Sequence, residues 1–357
     1  MRRFITALIL VAAMSFAAPT ARAQADLKLT RLSIKDPAIN DIEAVSFLIP
    51  AGWKTDGGIQ WFHDYSVLAN LLMRITDPAT GAQIEFLPIQ NFTHLSNPVV
   101  PMQQGQNYMG SIVWQPIEDV PRMVQTFYAP QVLHHLQQAQ PTRVENLDKL
   151  ANEIMRNTGG QSKAVAQRVR YEFESNGQPW EEDVYLSLVY TPNQMGVFWS
   201  VNSAYSLRAP KGQLDRMTPL MATVVNTAQI SKEWFSGYMY VRQLFDNRMN
   251  QGIRDAKALS DTITRNNAEI SQMFSDAYRQ RQESQDRINQ SVSEYIRGVD
   301  TYKNAFDDRP VQLPAGYNDA WVNQRGEFIL SNNGGFDPNV GDTNEWRRMN
   351  RRDEGGR

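Results

Sequence analysis

The chain has 357 residues, 36 basic and 38 acidic side chains, a formal net charge of -2 and no cysteine. The charge balance leaves no basic footprint for nucleic acid. The lack of cysteine excludes a disulfide framework, a cysteine nucleophile and a cysteine-linked lipid.

Arg2 and Arg3 precede an apolar run from Phe4 to about Ala18, and Ala21 and Ala23 follow two residues apart. This pattern reads as a secretory signal peptide over residues 1–23, cut after Ala23 or alternatively after Ala25. The run is shorter than the roughly 20 apolar residues that span a bilayer, and no later segment is long and apolar enough. The expectation is a soluble periplasmic protein, with release from the cell as the alternative. Losing Arg2, Arg3 and Arg22 takes the net charge from -2 to -5.

Residues 26–234 read mainly as strands. Val45, Phe47 and Ile49 recur with period two. So do Leu71, Met73 and Ile75, then Ile84 and Phe86, with Asp77-Pro78-Ala79-Thr80-Gly81 as the turn of a hairpin. Two helices are predicted next, one from Pro130 that stops at Pro141 and one carrying Val144, Leu147, Leu150, Ala151 and Ile154. Val169, Tyr171 and Phe173 alternate with charged residues, Asn176-Gly177 marks a turn, and strands through Val184–Tyr190 and Val197–Val201 follow. Thr218-Pro219 reads as an N-cap and first helical proline before Leu220, Met221, Val224, Val225 and Ala228. Strands with segregated helices indicate an α+β domain whose sheet is antiparallel.

Two resemblances accompany this reading. Ile49-Pro50-Ala51-Gly52-Trp53, with a closing helix that runs into Ala228-Gln229-Ile230-Ser231, resembles the PsbP/Mog1-like fold over roughly residues 26–234. That family includes photosystem assembly subunits, a small-GTPase-binding protein and bacterial envelope lipoproteins. The resemblance implies a binding scaffold more often than an enzyme and places no functional residue here. Residues 231–346 resemble C-terminal parts of uncharacterised bacterial exported proteins, which carry no known activity.

Residues 235–302 are predicted to form a long helical segment. Apolar residues recur at Phe245, Met249, Ile253, Ala256, Leu259, Ile263, Ile270, Phe274 and Ala277, and again from Ile288. Every residue from Arg279 to Arg287 is polar, so the stripe lapses there. Packing on its own domain, a protruding or dimerising helix through residues 245–299, and a membrane-surface helix are the three readings of this segment. Residues 303–346 form a small aromatic β-hairpin module, with Tyr317, Trp321 and Phe328 as candidate contact residues. A charged tail fills residues 347–357. The expected architecture is therefore α+β: an antiparallel sheet with packed helices, then a long helical segment and a small C-terminal β-hairpin module.

Chemistry-bearing patterns are sparse. His134 and His135 are neighbours and cannot chelate one ion from one helix face. His63-Asp64 forms a possible acid–base pair, or strand-end residues, and His94 stands alone. There is no His-Glu-x-x-His run, no Gly-x-Ser-x-Gly elbow and no phosphate-cradling glycine loop. Glu181, Glu182 and Asp183 cluster beside Trp180, and in an extended strand Glu181 and Asp183 share a face, either as glycosidase-like paired carboxylates or as a solvated strand end. Asp337, Asn339 and Asp342 lack the EF-hand spacing. No catalytic residue, metal ligand or cofactor is assigned. The function expected is that of an exported, non-catalytic envelope protein that binds another envelope protein. A periplasmic hydrolase acting on an envelope polymer or a small ester is the alternative.

Overall fold

The computed structural model describes residues 26–96, 98, 101–246, 263, 265–293 and 298–352. The signal peptide expected over residues 1–23, the apolar stripe from Met249 to Leu259 and the tail beyond residue 352 lie outside the described residues.

Alternating apolar residues make β1 (Leu27–Asp36) and β2 (Ile42–Pro50) an antiparallel pair. The 3-10 turn between them is capped by the Asp36 side chain, which accepts from the Ala38 amide. β3 (Lys54–Trp61), β4 (Ala69–Thr76), β5 (Gln83–Phe86) and β6 (Asn91–Leu95) follow, then the short β7 (Asn107–Tyr108) and β8 (Ser111–Val113). The β4–β5 hairpin pairs Ile75 with Ile84. Its turn is closed by Asp77, which accepts from the Ala79 amide and the Thr80 hydroxyl.

The two helices expected between residues 130 and 154 are formed differently. Residues 120–136 make short helical turns, and Pro141 opens strand β9 (Pro141–Asn146) rather than ending a helix. Val144 pairs with Val169 across that strand and is 47% exposed. Helix α1 (Asp148–Asn157) starts only after it, and Leu147, Leu150, Ala151 and Ile154 remain its buried stripe. Pairing with a long neighbour outweighs helical spacing at Val144, because β-branched residues suit a half-buried sheet.

β10 (Lys163–Ser175), β11 (Gln178–Asn193) and β12 (Gly196–Pro210) are the longest strands. The β10–β11 turn places Asn176 and Gly177 at φ +52° and +73°, the paired left-handed geometry that Asn-Gly favours. Helix α2 (Leu214–Asn226) begins four residues before the expected Thr218 cap. Thr218 instead bonds back to the Leu214 carbonyl at 2.8 Å, and Pro219 lies inside the helix.

After β13 (Gln229–Ile230) come α3 (Lys232–Asp246), α4 (Asn267–Met273) and α5 (Ser275–Ser293). The chain then forms β14 (Val299–Lys303), β15 (Pro310–Pro314), β16 (Asp319–Asn323), β17 (Phe328–Ser331), β18 (Trp346–Arg348) and β19 (Asn350–Arg351). One sheet runs β13-β2-β1-β17-β16-β18, a second has the main order β3-β4-β5-β12-β11-β10-β9, and a third has the order β15-β14-β19.

The expected α+β class with a long helical segment is thereby corrected. The fold is mostly β, with 42% strand against 27% helix. The described part of residues 235–302 is a set of separate helices that gives way to strand β14, and the longest of them has 19 residues. Gly298, just before β14, has φ +93°, and a Cβ there would lie 3.0 Å from Pro219. The C-terminal hairpin is also not a free-standing module. β17 pairs with β1, matching Leu27–Leu29 to Leu330–Phe328. A two-stranded hairpin is marginal by itself and gains stability from a larger sheet.

One face of the long sheet packs on α1, α2 and the Val45–Phe47–Ile49 face of β2. Its other face covers the short turns of residues 117–136. The opposite face of the β1 sheet, with Leu29 and Leu48, closes over Tyr302, Leu313, Tyr317 and Phe328.

Candidate functional site

A cleft of about 1060 Å³ lies where α5 faces the β1–β2 sheet and the β14–β15 hairpin. Its walls follow from local sequence. The polar lapse from Arg279 to Arg287 is the part of α5 that contributes Gln282, Gln285, Asp286 and Arg287, whereas Ile288, where the stripe resumes, packs into the core. Among the described residues no helix is long and apolar enough to cross a membrane.

Carboxamides link the cleft's elements. Gln285 donates to Asn289 at 2.9 Å, Asn289 to the Asn226 carbonyl at 2.8 Å, and Asn226 to Gln312 at 3.1 Å. Five arginines line the same space: Arg31, Arg287, Arg309, Arg325 and Arg352. Arg31 is held by Glu43 and, at 2.9 Å, by the Ser46 hydroxyl. Burial raises the Glu43 carboxyl, but hydrogen bonds from Arg31 and Ser33 outweigh it and leave it below its usual value. Arg287 meets Glu153 of α1 at 2.7 Å, and Arg309 meets Asp307 at 2.6 Å. Burial pushes the Asp286 carboxyl up, while the Arg309 charge pulls it back in part.

The residues singled out by sequence are spread elsewhere. Tyr317 and Phe328 are 5% and 4% exposed, inside the core, and only Phe328 reaches the cleft. Trp321 is half-buried with its indole N–H enclosed. The three therefore form no common exposed surface. Glu182 and Asp183 are both buried, on opposite faces of β11. Glu182 meets His135 Nε2 at 2.5 Å. Asp183 accepts from both Arg168 and Arg170, and Arg170 also holds Asp215 at 2.6 Å. The Asp215 carboxyl is lowered chiefly by that Arg170 bond. Alternation along β11 sets Glu182 on the face opposite Glu181 and Asp183, and all three carboxylates are buried rather than at a solvated strand end. His63 stacks on Trp61 with ring centroids 6.0 Å apart, and His94 lies on β6.

Asp337 and Asp342 serve their own loop, where Asp342 accepts from the Trp346 indole at 3.0 Å. Among the described residues no group of three or more His, Cys, Asp or Glu side chains is arranged to hold a metal ion. No family model, curated protein or solved structure matches this chain. The PsbP/Mog1-like resemblance thus rests on the short motifs around Ile49–Trp53 and Ala228–Ser231.

Sequence reading missed the cleft residues because they come from segments up to 321 positions apart, Arg31 to Arg352. The one visible signal was the lapse in the α5 stripe. A helix that stops being apolar for two turns has stopped packing against a core there.

Proposed function

We propose that this is an exported, non-catalytic envelope protein that holds a protein partner in the α5 cleft. The leader from Arg2 to Ala23 supports export to the periplasm. The observation that carries the binding role is the lining of the cleft, whose polar side chains are mostly carboxamide and guanidinium, with two carboxylates, Asp286 and Asp307, among them. The carboxamides both donate and accept, which suits the recognition of polypeptide backbone, while the guanidinium groups only donate. The experiment is site-specific photo-cross-linking in intact cells, with the probe at Gln282 and, as a control, at the exposed Met195. A discrete adduct at Gln282 alone is expected, its partner identified by mass spectrometry. Equal labelling at both positions would count against the cleft.

A second reading, hydrolysis of an envelope polymer or small ester, draws on Asp286 and Asp307, which line the same cleft around Arg309. Burial raises the Asp286 carboxyl above its usual value, as a general acid requires. Incubation with cell-wall polymer and with nitrophenyl esters separates the two readings. Turnover that disappears in Asp286→Asn would favour the enzyme.

A further inference from the structure

We infer that the cleft is selective for an acidic, extended polypeptide segment. This rests on the reading that the cleft holds a protein partner, and it names the chemistry of that partner.

The first support is the charge count at the rim. Arg31, Arg287 and Arg309 each face a carboxylate of the chain itself, Glu43, Glu153 and Asp307. Asp286 faces Arg309, whose charge acts on it. Arg325 and Arg352 are exposed, and no carboxylate pairs with either among the described residues. Among the described residues two guanidinium groups on one cleft therefore have no paired carboxylate, each able to grip a carboxylate through a two-pronged hydrogen bond. They stand on different elements. Arg325 is in the β16–β17 turn, beside Gly326, against which Arg31 packs. Arg352 follows β19 and is tied by its amide to the Thr301 carbonyl at 2.8 Å. A ligand that meets both must bridge these two elements.

The second support is the linked carboxamide run, Gln285 to Asn289 and Asn226 to Gln312. Each carboxamide has more donor and acceptor capacity than these bonds use, and a peptide backbone offers one of each per residue. The third support is the absence of a stacking platform. The aromatic residues on the lining are Phe47, Phe306 and Phe328. Phe47 and Phe328 are buried, and Phe306 is covered by the Arg347 guanidinium at 4.2 Å. A sugar ring has no open aromatic face to lie on, so a glycan fits less well than a peptide.

The test is isothermal titration of the full mature chain with hexaglutamate, hexalysine, a neutral Gly/Ser hexapeptide and polygalacturonate. Hexaglutamate is expected to bind, more weakly as salt rises, while hexalysine and the neutral peptide do not. Arg325→Gln/Arg352→Gln is expected to lose roughly tenfold or more in affinity, as two charge-assisted contacts disappear. Both side chains are exposed, so circular dichroism melts should match the unaltered protein. The proposal is overturned by no binding of hexaglutamate, by equal binding of the neutral peptide, or by a double variant that binds as well as the parent. Preference for polygalacturonate would also overturn it, in favour of an anionic glycan. If hexaglutamate fails while Gln282 still gives a discrete cross-link in cells, the partner reading stands and its acidic character falls.

Discussion

Asp286 illustrates what a single residue reveals once its neighbours are known. In the sequence it is one of nine consecutive polar residues from Arg279 to Arg287. In the fold its carboxyl is raised above the usual value by burial, against the pull of Arg309. The folded chain then holds this proton more tightly than the unfolded chain does. Ionising it costs stability as pH climbs from the ordinary carboxylate value through the raised folded one, and the cost is complete at neutral pH. Asp286→Asn is therefore expected to melt higher than the parent at about pH 7 and no higher at about pH 3. Thermal melts at both pH values measure this, and an equal shift at both would show that the carboxyl's charge is not the cause. Tyr317 makes the complementary point. Its place beside the Gly316 turn suggested exposure, yet it is buried at 5% because Leu29 and Leu48, some 270 to 290 positions earlier, close over it.

At the scale of elements, Asp36 joins three of them. Its carboxylate is fully buried at the end of β1, where it caps the following turn. It also accepts the indole N–H of Trp61 on β3 at 2.8 Å and of Trp234 on α3 at 2.6 Å. Asp36→Ala leaves three donors, the Ala38 amide and the two indoles, without this acceptor, and is expected to cost roughly 2–6 kcal/mol for the indoles alone, at about 1–3 for each orphaned group. Asp36→Asn keeps one acceptor oxygen and should lose less. Denaturant titrations followed by tryptophan fluorescence give both values, and an alanine variant as stable as the parent would refute the clasp. Elements whose signals were local were legible in advance. The β4–β5 hairpin and the β10–β11 turn carry their instructions in adjacent residues, Asp77 to Gly81 and Asn176-Gly177. β9 was not legible, because Val144 fits a helical stripe by spacing and a strand by its partner Val169.

At the scale of the whole molecule, the two ends of the chain share one sheet. Leu29 is fully buried by residues beyond 300, and β1 gives one edge to β2 and the other to β17. A fragment of residues 26–234 would expose Leu29 and Leu48 and free an edge of β1, which invites aggregation. Although sequence patterning placed a boundary near residue 234, the fragment is expected to aggregate or to melt without cooperativity, while the full chain melts cooperatively. Calorimetry of both decides it, and a sharp transition in the fragment would restore the boundary. The sequence by itself carried what depends on neighbours in the chain: the period-two strands, the turn residues and the α1 stripe. Only the tertiary structure decided that the C-terminal hairpin extends the N-terminal sheet, that Glu182 meets His135 while Asp183 meets Arg168 and Arg170, and that five distant arginines line one cleft. The physical reason is that sheet pairing and burial act between residues close in space. A periodic pattern specifies that a face will be covered, but the segment that covers it is settled by the packing of the whole chain.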